Sequence, residues 1–77
     1  MNEADRANFQ SMIKRINSIL QDMHQVSERL TATLDAKPAD FKDSDEGEAL
    51  RDFIVDLEVS QTHLTDIKEI LDTAISQ

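Results

Sequence analysis

Residues 9–30 read FQSMIKRINSILQDMHQVSERL, and their apolar positions recur at alternating steps of three and four. Phe9, Met12, Ile16, Ile19, Met23, Val26 and Leu30 make an a/d heptad seam, the period of an α-helix that buries one side. Ile13, Leu20 and Leu34 lie one position beside that seam and widen it into a face. A stripe this broad suits the core of a helical bundle better than the narrow line of a two-stranded zipper. Upstream, Asn2 is placed to cap the helix, and Asp5 falls in its first turn, where the helix dipole favours an acid. A first helix is predicted over about residues 3–36, roughly 50 Å long at 1.5 Å per residue.

Lys37-Pro38 supplies the stop. Proline disfavours helical backbone at the residue before it and has no N–H to donate. Residues 37–44 then read as a polar connector with one apolar anchor, Phe41, expected to fold back over the end of the bundle. A second helix is predicted over about residues 45–76. Ser44 or Asp45 is placed to cap it, and Asp45 with Glu48 has capping-box-like spacing. Its seam reads Leu50, Phe53, Leu57, Ser60, Leu64, Ile67, Leu71 and Ala74, flanked by Ile54, Ile70 and Ile75.

Two helices of similar length joined by a short connector fold back antiparallel. The expected fold is therefore a single all-α, two-helix hairpin domain. The turn sets an approximate register, with Leu34 near Leu50, Leu30 near Phe53, Met23 near Ser60, Ile16 near Ile67 and Phe9 near Ala74, and size matching supports it. Two helices that meet along one line can hide only part of two broad faces. The expectation is a homodimer that completes a four-helix bundle, or a helical partner that does the same.

Composition narrows the function. There is no cysteine, so no disulfide, thiolate nucleophile or cysteine-based zinc site exists. One glycine, one proline and three aromatics, all Phe, argue against a turn-rich β fold. No apolar run approaches the roughly twenty residues needed to span a bilayer, and the stretch Met1-Asn2-Glu3-Ala4-Asp5 does not read as a secretion signal; a cytoplasmic location is the expectation. The formal net charge is −8, which disfavours direct binding to nucleic acid or to an anionic membrane.

Two local features suggest chemistry and neither sustains it. Asp43-Ser44-Asp45-Glu46-Gly47-Glu48 begins like a calcium loop, but its fifth position is Gly47 and its twelfth is Ile54, where oxygen ligands belong. His24 and His63 sit on different helices, and only Glu28 stands four residues from His24; this reads as surface decoration, with no metal expected. There is no glycine-rich phosphate loop and no nucleophile elbow, and a hairpin has no cleft to perturb a carboxylate. No enzyme activity, cofactor or small-molecule substrate is expected.

The charge distribution says more. The first helix is nearly neutral, whereas the second carries Arg51 and Lys68 against Asp52, Asp56, Glu58, Asp66, Glu69 and Asp72. Asp43, Asp45 and Glu46 extend the acidic side into the connector. These acids read first as a solubilising outer face, and second as a docking face together with Val55 and Val59, one turn apart on the outer side.

The length, the two-helix layout, the Ala36-Lys37-Pro38-Ala39-Asp40 turn and the ending Ile75-Ser76-Gln77 resemble type III secretion needle subunits and their small hairpin chaperones. The second proline of the needle turn and the polar stretch of the needle's C-terminal helix are missing. The resemblance implies a subunit that polymerises or a chaperone that holds a helical partner. The leading functional expectation is a small acidic protein–protein interaction module, an adaptor or regulatory hairpin that self-associates through its coiled-coil-like seams. Its alternative is a phage-type inhibitor that mimics nucleic acid toward a basic DNA- or RNA-binding protein.

Overall fold

A computed structural model describes all 77 residues. Three helices follow in order: α1, Glu3–Asp35; α2, Ala39–Lys42; and α3, Asp45–Ser76. α1 and α3 pack side by side as the expected antiparallel hairpin, 57 × 15 × 13 Å overall. No helix is long and apolar enough to cross a membrane.

The helix ends follow local chemistry. The Asn2 side chain accepts from the Asp5 amide at 2.7 Å. α1 ends at Asp35, with Ala36 as its C-cap. Pro38, with φ fixed near −67°, then opens a helical turn in a connector expected to be irregular. Pro38 accepts from the amides of Phe41 and Lys42, both at 3.1 Å. The Lys37 ammonium lies 5.2 Å from the centre of the half-buried Phe41 ring.

Ser44, not Asp45, caps α3. Its hydroxyl accepts from the Gly47 amide at 3.2 Å and donates to the Phe41 carbonyl. The Asp45–Glu48 pair is therefore no capping box; both acids lie in the first turn, where the dipole favours them. Arg51 adds a bond to the Lys42 carbonyl at 3.1 Å and ties the connector to α3.

Gly47 is the tightest point of this corner. A Cβ there would lie 2.1 Å from the Phe41 carbonyl oxygen and 2.9 Å from the Lys42 Cα and oxygen. Glycine is needed because backbone passes where a side chain would stand.

The α1–α3 register differs from the one expected from the turn and from size matching. Gln61 donates to Ser27 across the seam at 3.0 Å, and the two least exposed apolar residues are Leu34 at 8% and Ile54 at 7%. Stepping along antiparallel helices from Ser27–Gln61 sets Leu34 level with Ile54, Met23 with Leu64 and Ile16 with Leu71. Met23 therefore faces Leu64 rather than Ser60, and Leu30 faces Leu57 rather than Phe53. The shift is about one helical turn. At this register the first turns of α3 extend beyond the end of α1, and the connector, coiled into α2, packs against them there.

Gly47→Ala is expected to lower stability despite alanine's better helix propensity, by about 1–3 kcal/mol as backbone moves to admit the methyl group. Thermal unfolding followed by circular dichroism measures this, with exposed Ser60→Ala, expected to be neutral or mildly stabilising, as the control.

Candidate functional site: an uncovered apolar face

Each long helix offers two ways to choose a seam, and the structure takes the second. From Phe9, Ile16, Met23 and Leu30, steps of three reach Met12, Ile19 and Val26, whereas steps of four reach Ile13, Leu20, Ser27 and Leu34. The side chains turned toward α3 are Phe9, Ile13, Ile16, Leu20, Met23, Ser27, Leu30 and Leu34. On α3 the matching set is Leu50, Ile54, Leu57, Gln61, Leu64, Lys68, Leu71 and Ile75. Half of the seam residues read from sequence are thus shared, and the others are displaced to one side. Met12, Ile19, Phe53 and Ile67 are exposed, and Val26 is half-buried at the edge of the seam.

The displaced residues form a surface of their own. At 100° per residue, a stripe three residues ahead of the seam lies roughly 80° to one side of it. Both helices are right-handed and run in opposite directions, so their two stripes emerge on the same broad side of the hairpin. That side carries Met12, Ile19 and Val26 from α1, and Phe53, Ile67 and Ile70 from α3. Phe53 is 52% exposed and Ile70 68%; Met12, Ile19 and Ile67 range from 39% to 47%.

The opposite broad side is polar. Gln10, Asn17, His24 and Thr31 of α1 face it, with Arg51, Glu58, Thr65 and Asp72 of α3. Two shallow open grooves run along it. One, of about 330 Å³, is lined by His24, Ser27, Glu28, Thr31, Glu58 and Gln61 among others. The other, of about 480 Å³, is lined by Gln10, Ile13, Lys14, Asp72 and Ile75. That residues of both helices share these grooves fixes which stripes lie on which side.

Burial is meagre for a chain of this length. Only four of 77 residues are buried: Ser27, Leu34, Gly47 and Ile54. The accessible surface is 5602 Å². A compact folded monomer of 8.7 kDa would expose roughly 4,700 Å², about 900 Å² less. The radius of gyration, 17.3 Å, also exceeds the roughly 11.5 Å of a compact 77-residue domain.

Electrostatics add a second feature. The one contact within 4 Å between a basic and an acidic side chain is His24 Nε2 with Glu28 Oε1, at 3.0 Å. No Lys or Arg reaches a carboxylate: Arg6 donates to the Ile75 carbonyl, Arg51 to the Lys42 carbonyl and Arg15 to the Ser11 hydroxyl. Asp43, Asp45, Glu46, Asp52, Asp56 and Glu58 are all exposed, as are Val55 and Val59 at 50% and 47% on the outer side of α3. His24 faces the polar groove, whereas His63 edges the apolar side, so the hairpin separates the two histidines. No group of three or more His, Asp or Glu side chains gathers to hold a metal ion.

Sequence reading passed over Gln61 and Lys68 as seam residues, and Gly47 as a packing requirement. Ser27 and Gln61 would have stood out only if steps of four had been chosen over steps of three. Comparison with protein-family models, with curated proteins and with solved structures found no match.

The Ser27–Gln61 bond is one polar layer in an otherwise apolar seam, with Lys68 one step further along. Replacing it by Ser27→Ala with Gln61→Leu is expected to raise the melting temperature by a few degrees, because an apolar pair has no polar atoms to desolvate. Ser27→Ala alone leaves the Gln61 amide without its partner and is expected to lower it. Thermal unfolding of the three variants checks both signs.

Proposed function

We propose that this chain is a protein–protein interaction module, an adaptor or regulatory hairpin that self-associates through the apolar side of its two long helices. The observation that carries this reading is the apolar side itself. Large aliphatic and aromatic side chains stand exposed in line along both helices, while the opposite side is polar. Scattered exposed apolar residues are ordinary on a protein surface, but an aligned patch rimmed by polar residues marks a contact. The surplus surface of about 900 Å² is close to the roughly 800 Å² that each partner contributes to a standard interface. A second hairpin laid on that side makes a four-helix bundle and gives Met12, Ile19, Phe53 and Ile67 a core.

The acidic outer side of α3 supports a second reading, a mimic of nucleic acid that occupies a basic protein. What favours it is that none of its carboxylates is paired with a Lys or Arg. Binding to a DNA-binding protein that weakens steeply with salt and is competed by duplex DNA would support it. Self-association through apolar surface barely responds to salt, so the two readings separate in one titration.

Seam and face substitutions should differ in kind. Ile16→Asp or Leu64→Asp removes packing between the two helices and is expected to abolish helicity and assembly together. Ile19→Asp with Ile67→Asp changes residues the hairpin leaves exposed. This variant is expected to lose assembly first, its mass by light scattering after size exclusion falling from twice 8.7 kDa toward 8.7 kDa. A wild-type mass of 8.7 kDa at high micromolar concentration would refute self-association.

A further inference from the structure

We infer that the second copy sits with its two-fold axis parallel to the helices, so that α1 of each copy runs antiparallel to α3 of the other. This rests on the self-association proposed above and specifies its geometry. Two symmetric arrangements put the apolar sides face to face. A two-fold along the bundle places α1 over the other copy's α3. A two-fold across the bundle places α1 on α1 and α3 on α3. Both give antiparallel neighbours and bury the same apolar stripes. The charges beside the stripes distinguish them.

One position further out from the apolar stripe, α1 carries Arg15, Asp22 and Arg29, and α3 carries Asp56, His63 and Ile70, all exposed. Rotation about an axis parallel to the helices leaves every residue at its own height. α1 therefore meets the other copy's α3 at the register it keeps with its own, fixed by the Ser27–Gln61 bond. At that register Ile19 stands level with Ile67 and Ile70 of the second copy. Arg29 comes beside the second copy's Asp56, and Asp22 beside its His63, whose ring N–H can donate to the carboxylate. Symmetry makes each pair twice. In the hairpin alone none of these groups is ion-paired with another.

The alternative sets α3 on α3. The edges then brought together carry Asp56 and His63 of each copy, with Asp52 and Asp66 on the outer side beside them, and no Lys or Arg of α3 stands among them. Arg51 is bonded to the Lys42 carbonyl, and Lys68 lies in the seam between α1 and α3. In a chain of net charge −8 this places like charges together along the most acidic helix. Only the α1-on-α3 arrangement sets the basic edge of one copy against the acidic edge of the other.

The absence of cysteine makes the test direct. Ile19→Cys and Ile67→Cys are prepared separately, then mixed, exchanged and mildly oxidised. The proposed arrangement expects an intermolecular disulfide in the mixture, several-fold more abundant than in either variant alone, since Ile19 meets the second copy's Ile67 and not its Ile19. Efficient crosslinking of Ile19→Cys with itself, in a protein of dimeric mass, would overturn the arrangement while leaving self-association intact. A monomeric mass with no crosslink in any sample would remove self-association as well. A charge swap reads the same geometry without cysteine. Arg29→Glu is expected to weaken the dimer roughly tenfold, and adding Asp56→Arg to the same chain to restore it. Failure of Asp56→Arg to restore an Arg29→Glu dimer would overturn the pairing.

Discussion

Two parallel cylinders touch along a single line, and that constraint governs this molecule. Each long helix carries an apolar stripe spanning three rows of positions, while its neighbour can cover two. α1 and α3 spend the shared row and the row four residues ahead on one another. The row three residues ahead is left outside. The exposed Met12, Ile19, Phe53 and Ile67 are therefore not defects in a core but the part of the apolar pattern for which a two-helix contact has no room. The near-equality of the surplus surface and one side of a standard interface follows from the same geometry.

What holds the hairpin to one register is concentrated at two places. At the closed end, Ser44 bridges the Phe41 carbonyl and the Gly47 amide, Arg51 grips the Lys42 carbonyl, and Gly47 lets the backbone pass at a distance no side chain tolerates. Midway along, the Ser27–Gln61 bond would be broken by a slip of one turn in either direction. Polar pairs inside an apolar seam weaken packing but penalise every misalignment, the use to which single polar core residues are put in coiled coils. Apart from Phe9 and Lys68, the rest of the seam is built of Leu, Ile and Met side chains of similar size, which would accept several registers.

The two long helices and their antiparallel arrangement were legible in the sequence because heptad periodicity over thirty residues, a proline stop and a serine start leave few alternatives. The seam was legible only in half. Ile19 and Leu20 stand side by side, as do Met12 and Ile13, and Phe53 and Ile54, so steps of three and steps of four score alike. Choosing between them needs the crossing geometry, which the corner sets. Ala39-Asp40-Phe41-Lys42 is too short to show a period, yet it coils into a turn within the connector, and the register differs by about four residues. The packing role of Gly47 is invisible in the sequence for the same reason: the backbone it must clear belongs to another element. The acidic residues were read correctly as exposed, since carboxylates without partners have nowhere else to go.

If a second copy completes the core, assembly stabilises the folded hairpin and its stability must depend on concentration. Thermal unfolding of the wild-type chain over a hundredfold range of concentration measures this without any substitution or label. The midpoint is expected to rise by roughly 5 °C for each tenfold increase, the slope of a dimer whose unfolding enthalpy scales with two chains of this length. A sharp transition at one temperature throughout that range would contradict it, and would mean that the hairpin stands alone with its apolar side in water.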